Sequence, residues 1–211
     1  MRVLSHRGFW TAKSERNRPE AFRRSFVGGF GTELDLRDLA GQLVVSHDPP
    51  EAGALPAEEM FALHAQHGPT LTLALNIKAD GLQALLRPLL ERFAVADAFV
   101  FDMSIPDTLH WLRAGVPVFT RHSDVEEAPV LYREAAGVWL DAFRGEWWDA
   151  GTVRRHLDAG KRVCIVSPDL HGRDHHTAWE GLATQDWPAD GRVMICTDHP
   201  AEARELFNSA H

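Results

Sequence analysis

The chain has little cysteine, no surplus of positive charge and no long apolar run, and each shortage removes a class of protein. Only Cys164 and Cys196 occur in 211 residues. Both stand in apolar stretches and read as buried, reduced thiols of a cytoplasmic protein, not as a disulfide framework. Lysine and arginine number 22 against 30 aspartates and glutamates, a net charge of −8 with histidine neutral. Surfaces that coat nucleic acid are basic, so no nucleic-acid partner is expected. No apolar stretch reaches the roughly 18 residues of a membrane span, and Met1-Arg2-Val3-Leu4-Ser5-His6-Arg7 lacks the apolar core of a signal peptide. What is present is an ordinary globular composition, 45% apolar and 25% charged.

Apolar segments of strand length alternate with segments of helical spacing. Strands are predicted at Arg2–His6, Thr32–Leu36, Leu43–Ser46, Thr70–Lys78, Ala98–Phe101, Pro117–Thr120, Gly137–Leu140, Arg162–Val166 and Val193–Cys196. Helices are predicted at Pro19–Val27, Pro56–Gln66, Leu82–Phe93, Thr152–Ala159, Ala178–Thr184 and His199–Phe207. Capping-box patterns at Ser104 and at Ser123-Asp124-Val125-Glu126 add two helix starts. About eight strand–helix units with short connections imply a parallel sheet covered by helices. The fold class is therefore α/β, a small (β/α)₈ TIM barrel nearly free of insertions, as one domain over residues 1–211. An open doubly wound sheet is the alternative. The barrel is favoured because polar residues recur where strands end: His6, Asp35, His47, Asn76, Asp102, Arg121, Asp141, Ser167 and Asp198.

Several of these carry chemistry. Side chains two apart on a strand share a face, so Glu33 and Asp35 point one way and Leu34 and Leu36 the other. Two acids sharing a site repel and lose solvation. A hard cation such as Mg²⁺ or Ca²⁺ relieves both penalties. Asn76 and Lys78 share a face by the same rule, offering a neutral oxygen to the cation and a point charge to a phosphate. Arg7 adds a guanidinium fork suited to phosphate. His6 and His47 titrate near neutrality and divide naturally into a proton acceptor and a proton donor. Asp48 is not expected to fold back onto its neighbour His47. Trp10, Trp147, Trp148 and Trp179 are expected in loops, and Trp179 is a candidate substrate contact. The run Ser167–His176 is rich in histidine but lacks a clean zinc-ligand spacing, and reads as a loop near substrate.

Ser5-His6-Arg7-Gly8, Asn17 with Ala21-Phe22, Gly31-Thr32-Glu33-Leu34-Asp35-Leu36 and Val44-Val45-Ser46-His47-Asp48 together resemble the glycerophosphodiester phosphodiesterase family of the PI-PLC-like superfamily. Leu75-Asn76-Ile77-Lys78 and Cys196-Thr197-Asp198-His199-Pro200 are weaker matches. The resemblance implies a (β/α)₈ barrel, a divalent cation held by Glu33 and Asp35, acid–base catalysis by His6 and His47, and phosphate contacts from Arg7 and Lys78. The substrate would be a small-molecule or polymer-linked phosphodiester of lipid metabolism. A non-catalytic binder of phosphorylated glycan or lipid headgroups, or a transferase giving a cyclic product, are the alternatives. Three departures stand out. Asn76 replaces a metal-binding glutamate. Arg16-Asn17-Arg18 replaces Glu-Asn-Thr. The helical insertion after the first His-Asp is missing.

Overall fold

The computed structural model describes residues 1–209. Its contacts divide into two compact units, one formed by Ser5–Val118 and the other by Met1–Leu4 with Phe119–His211.

The Ser5–Val118 unit begins inside strand β1 (Arg2–His6) and continues through helix α1 (Pro19–Val27) and strand β2 (Gly31–Leu39). Proline opens α1 in its first turn, where no intrahelical N–H is lost. Ala21, Phe22, Ser25 and Phe26 form its buried face, as their spacing requires. Gly41 turns β2 into an antiparallel partner, β3 (Gln42–Val45), followed by the short β4 (Leu55–Pro56) and α2 (Ala57–His67). β5 (Leu73–Ile77) pairs in parallel with β2, and β6 (Ala98–Phe101) with β5. All five residues of β5 are buried, as expected for a strand covered on both faces. Helices α3 (Gln83–Arg92) and α4 (Ile105–Arg113) complete the unit, α4 being capped by the Ser104 hydroxyl. The core gathers Phe22, Phe26, Leu34, Leu36, Phe61, Leu75 and Trp111.

In the other unit β7 (Phe119–His122), β8 (Gly137–Leu140), β9 (Arg162–Val166) and β10 (Val193–Thr197) run parallel. Residues Arg2–Leu4 of β1 stand beside β10. Helix α5 (Ala150–Asp158) starts in a capping box of Asp149 and Thr152. Helices α6 (His176–Ala183) and α7 (Pro200–Ser209) follow. The predicted helix start at Ser123 is corrected. The Ser123 hydroxyl does accept from the Val125 and Glu126 N–H groups, but the turn it makes leads into irregular chain, and no helix separates β7 from β8. Pro129 follows closely and cannot supply a helical N–H. Among the described residues, no helix is long and apolar enough to cross a membrane.

Candidate active site

The site is assembled on β2, entirely within the Ser5–Val118 unit. Leu34 and Leu36 enter the hydrophobic core, and Glu33 and Asp35 take the opposite face, 2% and 0% exposed. On adjacent β5, Asn76 lies directly across from Asp35 in the parallel register. Strand pairing alone thus sets two carboxylates and one amide side by side.

The backbone of β2 also decides where the histidines go. Carbonyls two residues apart on a strand point to the same edge. The Glu33 carbonyl accepts from Arg7 N–H at 2.9 Å, and the Asp35 carbonyl accepts from Ser46 N–H at 3.0 Å. These anchors sit about 7 Å apart along one edge of β2. His6 precedes the first anchor and His47 follows the second. The backbone on either side of the two predicted acid–base residues is therefore fixed along the same edge of β2. His6 Nε2 lies 3.9 Å from Glu33 Oε2. His47 is half exposed and shares a pocket of about 480 Å³ with Arg7.

Asp48 does fold back: its Oδ1 lies 2.9 Å from His47 Nδ1. The contrary expectation held that a carboxylate cannot easily fold back onto the residue next to it. In fact β3 ends at Val45, and the Ser46 hydroxyl donates to the Asp48 carbonyl, curling the chain. A carboxylate on Nδ1 favours the tautomer whose Nε2 lone pair is open to take a proton.

Cations surround Asp35. Arg7 Nε stands 2.9 Å from Oδ2 and Lys78 Nζ 3.5 Å from Oδ1. In the sequence Asn17 stands out only as part of a motif. Its Nδ2 donates to Asp35 Oδ2 at 2.8 Å, and its N–H donates to the Arg7 carbonyl. Both Arg7 and Asn17 hold positive φ, 58° and 56°, a conformation that costs non-glycine residues free energy and concentrates at functional sites. Gly8 is required where it stands: at φ 86° a Cβ would lie 2.8 Å from that of Ala21.

Burial, reinforced by the neighbouring Asp35 charge, pushes the Glu33 carboxyl up to about 7, against the pull of His6, Arg7 and Lys78. Asn76 Nδ2 donates to Asp102 Oδ2 at 3.2 Å, which fixes the amide. Asn76 Oδ1, Asp35 Oδ1 and Asn17 Oδ1 are all buried and, among the described residues, accept no hydrogen bond. Buried acceptors are nearly always satisfied. Two orphaned amide oxygens and a carboxylate oxygen held only by the Lys78 ion pair, beside a carboxylate that resists ionisation, fit a hard, oxygen-seeking cation of the Mg²⁺ or Ca²⁺ kind.

The strand-end polar residues of the other unit spend themselves on one another. Asp141 pairs with Arg121 and, at 2.7 Å, with His171. Asp169 accepts from Ser167, from the Thr197 hydroxyl and from Asp198 N–H. Trp179 is corrected from a loop position to a core residue of α6. It is 1% exposed, and its indole donates to the Ser167 hydroxyl at 2.9 Å. His175, His176 and Glu202 offer three donor atoms within 4.8 Å of one another. The two imidazoles, however, stack at 4.4 Å and 18°. Imidazole lone pairs lie in the ring plane, so these do not converge on one ion as placed.

No family model matches the chain, and no curated protein matches it. Solved structures do. A glycerophosphodiester phosphodiesterase from Agrobacterium tumefaciens aligns over 99% of both chains at 16% identity with a TM-score of 0.67. A glycerophosphoryl diester phosphodiesterase from Parabacteroides distasonis aligns over 99% of this chain and 86% of its own at 12% identity, again at 0.67. This chain has the glycerophosphodiester phosphodiesterase fold. The α/β, (β/α)₈-barrel class read from the sequence is the class of these phosphodiesterases. A Ca²⁺-dependent phosphatidylinositol-specific phospholipase C from Streptomyces antibioticus is similar at a TM-score of 0.53 and 12% identity, over 98% of this chain and 95% of its own. Phosphoribosyl anthranilate isomerase from Thermus thermophilus also scores 0.53. The fold thus hosts unrelated chemistry, and the function has to be argued from the site.

Proposed function

We propose that the chain, acting as a single domain, is a metal-assisted phosphodiesterase that hydrolyses a glycerophosphodiester-like substrate. The observation that supports this reading is the pair of anchors on one edge of β2, where Arg7, next to His6, and Ser46, next to His47, bond to the carbonyls of Glu33 and Asp35. Glu33, Asp35 and Asn76, with Asn17 beside them, would hold Mg²⁺ or Ca²⁺. When bound, such an ion polarises the phosphoryl oxygens and offsets the diester's charge. Arg7 and Lys78, already fixed beside Asp35, place positive charge where the phosphoryl oxygens gain negative charge. His47, oriented through Nδ1 by Asp48, takes the proton of the attacking water at Nε2. His6, held against Glu33, gives a proton to the leaving alcohol oxygen.

Turnover of bis(p-nitrophenyl) phosphate with Mg²⁺ or Ca²⁺ tests the assignment. His6→Ala and His47→Ala should each lower kcat at least 10²-fold, the lower end of what a positioned acid or base contributes. Full activity in either variant would remove that histidine from the mechanism. Asn76 favours a second reading, a phosphodiester-binding protein without turnover, because an amide in place of a carboxylate weakens the ion's hold. Restoring the acid with Asn76→Glu separates the two. Activity appearing only in that variant would support the binding-only reading for the native chain.

A further inference from the structure

We propose that Asp102 is a positioning residue for the divalent cation, selecting which end of the Asn76 amide faces the ion. The inference deepens the metal-assisted reading and rests on it.

An amide presents an oxygen at one end and an NH₂ group at the other, and only the oxygen can bind a hard cation. Turned end for end, Asn76 would aim two N–H donors at the ion and repel it. Asp102 decides between the two orientations. An ionised carboxylate accepts hydrogen bonds and cannot donate them, and Asp102 Oδ2 takes Asn76 Nδ2 at 3.2 Å. With the NH₂ end held there, the oxygen is the end left over. It is buried and, among the described residues, accepts no hydrogen bond.

Strand geometry alone would not make this contact. β6 ends at Phe101, which lies across from Asn76 in the parallel register. Side chains directly across from each other share a face, and the next residue along an extended strand takes the other face. Asp102 would thus point away from Asn76 if β6 continued. Instead it holds φ 66°, in the left-handed region that costs a non-glycine residue free energy and concentrates at functional sites. Leaving the strand at this residue lets its carboxylate reach back to the amide. Asp102 is itself exposed, so burial of its own side chain does not offset that cost.

Calorimetry of the full chain with Ca²⁺ or Mg²⁺ alone tests this without requiring turnover. Asp102→Gly suits the positive φ and removes the carboxylate. It should weaken ion binding about 10- to 100-fold, the range for losing a partner that orients a metal ligand. Asp102→Asn also tolerates this φ; it keeps a neutral acceptor and should lose less. The same change is then made in an Asn76→Glu background. A carboxylate has an oxygen at both ends, so nothing is left to orient, and Asp102→Gly should not weaken binding there. Thermal unfolding in chelator confirms that each variant folds. Native affinity in Asp102→Gly would overturn the proposal. An equal loss in both backgrounds would also overturn it, making Asp102 a ligand or a general stabiliser. A native chain that binds neither ion refutes the metal-assisted reading and this proposal together. Ion binding that depends on Asp102 as expected, with no diester cleaved, refutes the hydrolase reading and leaves the role of Asp102 standing.

Discussion

Replacing Glu33 with glutamine should stabilise the metal-free protein, and do so more at alkaline pH. Glu33 is 2% exposed, and burial beside Asp35 raises its carboxyl from 4.5 to about 7. A shift of that size corresponds to roughly 3 kcal/mol between the protonation states. The sign follows from proton linkage. Between pH 4.5 and about 7 the folded chain retains a proton that the unfolded chain has released. The advantage present below 4.5 is therefore lost as pH rises, and above about 7 the fold carries a buried ionised carboxylate. Glutamine keeps the oxygen that accepts from Arg7 N–H at 3.2 Å and removes the charge. At pH 8, with chelator, Glu33→Gln should raise Tm by roughly 5–10 °C for a chain of this size. At pH 5 the gain should largely vanish. Excess Ca²⁺ or Mg²⁺ should then raise the native Tm, by about 2.7 kcal/mol of stability at one hundred times Kd, and leave the variant nearly unmoved. Differential scanning calorimetry at the two pH values supplies every arm. A variant less stable than the native chain at both pH values, by the same amount, would show that Glu33 is a structural ion-pair partner and refute the reasoning.

Three further outcomes are expected. Asp48→Asn should lower kcat several-fold and shift the acidic limb of the pH–rate profile while leaving KM for small diesters nearly unchanged, since Asp48 acts only through the proposed base His47; steady-state kinetics across pH checks it. Trp179→Ala should cost about 3–5 kcal/mol of stability, the range for emptying a buried aromatic site, whereas Trp179→Phe should leave KM unaltered; a raised KM in a well-folded Trp179→Phe would return this residue to the substrate site. His156 is buried between Tyr132 and His122, and burial with the neighbouring His122 holds its ring down to about 4. The unfolded chain then binds more protons between pH 6.5 and about 4, so stability falls as pH drops through that window, and His156→Gln should flatten the acid limb of Tm against pH.

The parts of the fold legible in the sequence were those set by local pattern. Leu73–Ile77 is apolar except for Asn76 because both its faces are covered. The buried face of α1 follows helical spacing. The Glu33–Asp35 pair was readable because strand geometry forces alternate side chains to one face, and Asn76 joined it through register. The misreadings came where chain leaves regular structure. Asp48 reaches His47 through a turn closed by Ser46. Ser123 satisfies its turn with the bonds that would otherwise open a helix. Trp179 has a polar edge that made a rim position plausible, yet Ser167 satisfies that edge inside the core. The orphaned oxygen on Asn17 depends on tertiary contacts that no spacing encodes.

Crystals soaked with Ca²⁺ and inorganic phosphate would test the central claim most directly. The account predicts an ion bound by Glu33, Asp35 and Asn76, with a phosphate against it that touches Arg7 and Lys78 and receives the Nε2 atoms of both His6 and His47. An ion seated elsewhere, or a phosphate reached by only one imidazole, would contradict it.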